Sequence, residues 1–157
     1  MLEAVVAAMK ALEDSGLGQL ARGSGWLYPV ANLAHVLGAA LLVGAIATFD
    51  IQVLRRAGGS NVVLRAVTPI AVIGVLAQIA SGLVLLSADA TPVVVNPAFQ
   101  FKMAMFALGL ANVATFRWRF RGVLGKDTPL EGATWLAAIS LVSWILVLLA
   151  GRFIAYL

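Results

Sequence analysis

A chain of 157 residues that is 62% hydrophobic and only 11% charged falls far below the roughly 25% charged residues of a water-soluble domain, so most of its surface meets lipid. Eleven Lys and Arg against seven Asp and Glu leave a net charge of +4, and the placement of these charges fits a membrane-topology signal, not a nucleic-acid surface. With no Cys, disulfides, zinc–thiolate sites, iron–sulfur clusters and thioether-linked haem are excluded, and the length allows one domain, 1–157.

Residues 1–15 lack the basic start and unbroken apolar run of a signal peptide. Leu2, Val5, Val6, Met9 and Leu12 recur at helical spacing, with Glu3, Lys10, Glu13 and Asp14 on the other sides. This pattern predicts a short amphipathic helix, lying at the membrane interface or packed on the end of a bundle. Ser15-Gly16 supplies its stop.

The first span is expected at 26–54. From Trp26 to Phe49 it holds no Asp, Glu, Lys or Arg, and about 20 apolar helical residues suffice to cross a core of about 30 Å. Trp26 and Tyr28 stand where an aromatic belt would anchor it, and Pro29 falls in its first turn. Asp50 and Arg55 read as solvated charges at its far end. A second span is expected at 65–87, followed by a loop, SADATPVVVNP, that two prolines would extend. A third is expected at 98–116 and a fourth at 133–157. Between these two lies a basic link of Arg117, Arg119, Arg121 and Lys126, closed by Asp127-Thr128-Pro129. The fold expected is all-α: an integral membrane four-helix bundle with a short N-terminal interfacial helix.

Charge orients it. Arg55, Arg56, Arg65, Arg117, Arg119, Arg121 and Lys126 fall in two links on one side. Lys10, Arg22, Lys102 and Arg152 fall on the other, diluted by acidic residues. The excess of basic residues marks the cytoplasmic side, which places both termini outside.

Polar residues then gather at similar depths. His35 lies roughly 13 Å below the outer end of the first span, and Gln78 of the second span lies about as deep. Lys102 and Met105 enter the third at roughly 6 and 10 Å, and Arg152 lies about 7 Å inside the fourth. Asn32, His35, Gly38 and Ala39 share one face; Gly74, Gln78, Ser81 and Gly82 another; Lys102, Met105, Gly109 and Asn112 a third. Small residues permit close helix approach, so these faces are expected to turn inward and form a polar pocket in the outer half.

An ionisable group inside hydrocarbon is a functional candidate by default, which singles out His35. As an axial haem b ligand it would pair with Met105 or Met103, with Lys102 and Arg152 neutralising propionates and Asn32 and Gln78 completing the pocket. As a metal ligand beside the Met residues it would suit copper. As a titrating group it would serve a proton or anion path with Lys102 and Arg152. The plain alternatives stand beside these. Gln78, Ser81, Asn112, Ser140 and Ser143 serve as interhelical hydrogen-bond glue; Lys102 and Arg152 snorkel; the Met residues fill space. A non-catalytic membrane subunit, in a homo-oligomer or larger complex, is the competing class. No catalytic motif, P-loop or paired carboxylate is present.

The residues Trp26-Leu27-Tyr28-Pro29, Asn32, His35, Gly38, Gly44, Asp50 and Leu54-Arg55 resemble the first span of a family of small four-helix bacterial inner-membrane proteins without an assigned activity. Asn96-Pro97, Phe99, Lys102 and Asn112 resemble the entry to that family's third span. The His-x-x-Gly segment is also similar to the membrane domain of CopD-type copper-resistance proteins, although further metal ligands are lacking here. The resemblance implies four helices and a bacterial inner membrane, and it assigns no residue a catalytic role.

Overall fold

The computed structural model describes residues 2–56, 58–122, 124, 130 and 132–156. Met1, Lys126, Asp127-Thr128-Pro129 and Leu157, which belong to the expected surface helix, basic link and last span, lie outside the described residues. Within them the chain forms helices and no strand: α1 Leu2–Glu13, α2 Gly16–Gly23, α3 Leu27–Leu54, α4 Ser60–Ala88, α5 Ala90–Val95, α6 Pro97–Phe120 and α7 Thr134–Phe153.

Helices α3, α4, α6 and α7 are each long and apolar enough to cross a membrane, so the all-α bundle of four spans expected from sequence is the fold. Their burial pattern inverts that of a soluble protein. Leu33, Val36, Ile73 and Leu76 are each about 60% exposed, while Asp50, Asn61, Ser81, Ser87, Asn112, Ser140 and Ser143 are buried. Apolar side chains outside and polar ones inside suit a hydrocarbon solvent, where every polar group must find its partner within the protein.

The spans alternate in direction. His35 near the start of α3 meets Ser81 near the end of α4 and Lys102 near the start of α6. At the opposite end, Phe49, Val53, Phe116 and Phe120 pack with Ala133 and Ala137 at the start of α7. Arg55, Arg56, Arg65, Arg117, Arg119 and Arg121 therefore collect at one end of the bundle, and the described ends of the chain at the other.

Helix α3 is the hub, packing along α4 on one side and α7 on the other, while α6 packs on α7. The α3–α4 contact is the tightest. A Cβ placed on Gly74 would lie 2.6 Å from the backbone nitrogen of Leu42, and one on Gly38 would lie 2.9 Å from Cβ of Ala77. Such backbone-to-backbone approach is what small residues provide in lipid, where helices associate through packing. Helices α4 and α6 bring no pair of described Cα atoms within 8 Å of each other, so the bundle is open along that seam.

Three short helices cap the terminal end. Arg22 of α2 donates to the carbonyls of Ala88 (3.0 Å), Ser87 (3.4 Å) and Glu13 (2.7 Å), satisfying acceptors that helix C-termini leave open. The carboxylate of Glu13 accepts from the backbone N–H (2.7 Å) and the hydroxyl (2.9 Å) of Thr91. The amphipathic helix α1 is thereby tied to α5 at the bundle end.

Several segments differ from expectation: Gly16–Gly23 forms a helix, α4 begins at Ser60 and not at 65, and α7 ends at Phe153 and not at 157. Residues 90–95 are helical, not extended. Pro92 occupies the first turn of α5, where its missing N–H costs nothing, and Thr91 finds its partner in Glu13. Helix α6 continues through Arg117 and Arg119 to Phe120, because cations in a last turn are favoured by the helix dipole. Its start is set by Asn96, whose side-chain oxygen accepts from the N–H groups of Ala98 (2.9 Å) and Phe99 (3.3 Å) ahead of Pro97.

Candidate functional site

His35 sits half-buried between three spans, with both ring nitrogens engaged. Nδ1 lies 2.9 Å from Oγ of Ser81 on α4. That hydroxyl gives its one proton to the carbonyl of Ala77, a turn earlier in the same helix. Its oxygen can therefore only accept, so Nδ1 of His35 carries the proton and donates. Nε2 is left as the acceptor. It faces Nζ of Lys102 on α6 at 3.3 Å, and the ammonium group donates to it.

The surroundings fix this geometry. The side-chain amide of Gln78 donates to the backbone carbonyl of His35. Gly82 clears the space beside the ring, since a Cβ there would lie 3.3 Å from Cε1 of His35. Gly151 of α7 lies beside the Lys102 stem, where a Cβ would stand in ordinary contact 3.5 Å from Nζ. All four spans thus contribute to one layer. Lys102 faces no carboxylate among the described residues.

Of the six residues proposed from sequence, His35, Gln78 and Lys102 converge. Asn32 is exposed. Arg152 is exposed as well; its guanidinium stands 4.8 Å over the Tyr156 ring and donates to that residue's hydroxyl. Met105 packs around Leu42, Val43, Trp144 and Val147. This arrangement does not fit a haem on His35. Nε2 is taken by an ammonium group, Met105 belongs to the Trp144 cluster, and Arg152 turns outward. Among the described residues no three His, Cys, Asp or Glu side chains come together.

Sequence reasoning missed a second polar region. Asp50 is not a solvated charge: it is 4% exposed, buried against α7 where the Ser140 hydroxyl donates to it. Its Oδ2 meets no donor among the described residues, and neither does the indole N–H of the fully buried Trp144 find an acceptor. Both residues line a cavity of about 740 Å³ in the open seam between α4 and α6. The signal was present in the helical spacing of Ile46, Phe49, Asp50 and Val53, which puts Asp50 on the apolar, inward stripe of α3. No protein-family model, curated protein or solved structure matches this chain.

Proposed function

We propose that this chain is a multi-pass protein of the bacterial inner membrane, with both termini periplasmic, and that it binds a small anionic ligand at Lys102 and His35 in its periplasmic half. The excess of arginine at the opposite end of the bundle supports the orientation.

One observation carries the ligand reading. Lys102 lies within a membrane-spanning helix, and its one described polar partner is a neutral imidazole nitrogen. Among the described residues, two of its N–H bonds have no acceptor and the ammonium has no carboxylate partner. An unpaired ammonium inside a span is disfavoured, by about 2.5–3.5 kcal/mol at the centre and by less at the depth of Lys102, and a carboxylate or phosphate group entering from the near surface would offset that cost. His35 holds the ammonium in place by accepting from it.

The test is ¹⁵N NMR of the histidine ring in detergent-solubilised protein titrated with acetate and with inorganic phosphate. Saturable movement of the Nε2 resonance in the wild type, absent in Lys102→Met, is the expected result. A resonance indifferent to both anions would overturn the reading.

The bonds from Gln78 to His35 and from His35 to Ser81 both join α3 to α4, which supports a second reading of the layer as interhelical glue in a non-catalytic subunit. On that reading His35→Ala lowers stability and no anion is bound.

A further inference from the structure

The cavity between α4 and α6 lies at the other end of the bundle from His35. Along α3 it runs from Asp50 to Leu42, about 12 Å, and along α4 from Asn61 to Val75, about 21 Å. Half of a bilayer core of about 30 Å is about 15 Å, so the cavity extends from the basic end to the middle of the membrane. It occupies the depth of one leaflet. Its two ends differ in chemistry. At the basic end it is lined by Arg65 in the second turn of α4 and Arg117 in the last turn of α6, with Asp50 and Asn61 beside them. Toward the middle its walls are Leu42, Val72, Val75 and Leu110. It opens sideways: Val72 and Leu110 are 48% and 45% exposed, and the α4 and α6 backbones stay apart.

From this geometry we infer that the seam between α4 and α6 is a binding site for an anionic phospholipid of the leaflet on the arginine side. One acyl chain lies between the apolar walls, and the phosphate is held by Arg65 and Arg117. The size is suitable, because ligand sites typically enclose about 300–1,000 Å³. The charge is suitable too, since basic pockets between spans on the cytoplasmic side recognise lipid headgroups. The buried Oδ2 of Asp50, which meets no donor among the described residues, favours a headgroup bearing hydroxyls, such as glycerol, over one without. This inference does not depend on the Lys102 site, which faces the opposite leaflet.

Native mass spectrometry of the full chain, released from detergent after exposure to equal amounts of phosphatidylglycerol and phosphatidylcholine, tests it. Each arginine is expected to give about a fivefold preference for the anionic lipid. The wild type should therefore retain phosphatidylglycerol about 25-fold over phosphatidylcholine, and Arg65→Gln with Arg117→Gln should abolish the preference. Val72→Trp with Val113→Trp, which fills the seam, should retain neither lipid, with circular dichroism and the His35 ring resonances confirming that the fold persists. Equal retention of both lipids by the wild type would overturn the inference. So would retention by the filled variant at the wild-type level, or a second protein chain in place of the lipid.

Discussion

Nζ of Lys102 and Nε2 of His35, separated by 67 residues in sequence, lie 3.3 Å apart across the bundle. The ammonium meets a lone pair there because the Ser81 hydroxyl donates its hydrogen bond to the carbonyl of Ala77 and so keeps the imidazole proton on Nδ1. A serine on α4 thereby sets which face of a histidine on α3 greets a lysine on α6.

Removing either partner should have opposite consequences. His35→Ala leaves the ammonium of Lys102 without its acceptor and Ser81 without its donor, and it should cost about 1–3 kcal/mol. Lys102→Met removes a buried charge along with one hydrogen bond, a bond worth on average about 0.6 kcal/mol between membrane helices. Its stability should equal or exceed that of the wild type. Unfolding in dodecyl sulfate titrations measures both; a Lys102→Met variant less stable than His35→Ala would contradict the assignment of an uncompensated ammonium.

The α3–α4 crossing should tolerate no added methyl at its closest point. In Gly74→Ala the new Cβ would start 2.6 Å from backbone atoms of Leu42, which cannot rotate away. Overpacking of this kind costs about 1–3 kcal/mol. Gly44→Ala on the same helix pair meets nothing within 4 Å and should be neutral or slightly stabilising, because alanine favours the helix. The same unfolding titration separates the two, and equal effects would place the crossing elsewhere.

Much of the His35 layer was legible in the sequence, and particular residues show why. His35 and Gln78 lie at the same depth from one end only if the spans alternate, and the arginine-rich links specify that alternation. Gly38, Gly74 and Gly82 mark the faces that close upon each other. What escaped was set by the rotation of long side chains and by packing at a distance. Asn32 shares the stripe of His35 yet is exposed, and Arg152 is drawn outward by Tyr156 four residues on. Asp50 near a helix end reads alike whether it faces in or out. Its burial follows from Phe49 packing edge-on against Phe116 at 5.3 Å, which fixes how α3 is turned. The seam between α4 and α6 leaves no local signature, because it consists of a contact that two helices do not make.

The cap on the terminal end should loosen in acid. Glu13 is held below its ordinary value of 4.5, chiefly by the Thr91 backbone N–H, then by the Thr91 hydroxyl, with Arg22 adding to the effect. A carboxyl whose pKa is lowered by folding stabilises the folded state above its ordinary value, and that contribution is lost as pH falls through the lowered one. Amide exchange at Thr91, corrected for its intrinsic pH dependence, should thus rise below about pH 4.5. In Glu13→Gln this pH dependence should vanish, and a wild-type profile flat through that range would show that α1 is held by other contacts.

Asp50 and Ser140 offer the sharpest test of how polar groups are tolerated inside this bundle. Ser140→Ala takes away the hydroxyl that donates to the Asp50 carboxylate, leaving a buried carboxylate whose other oxygen meets no donor among the described residues. The expected loss is about 1–3 kcal/mol. Asp50→Leu with Ser140→Ala removes both partners and should recover most of that loss, since an apolar pair of similar size has nothing left to satisfy. The single and double variants, unfolded under identical conditions, give the coupling directly. A double variant no more stable than Ser140→Ala would mean that Asp50 contributes to the fold through a partner other than Ser140.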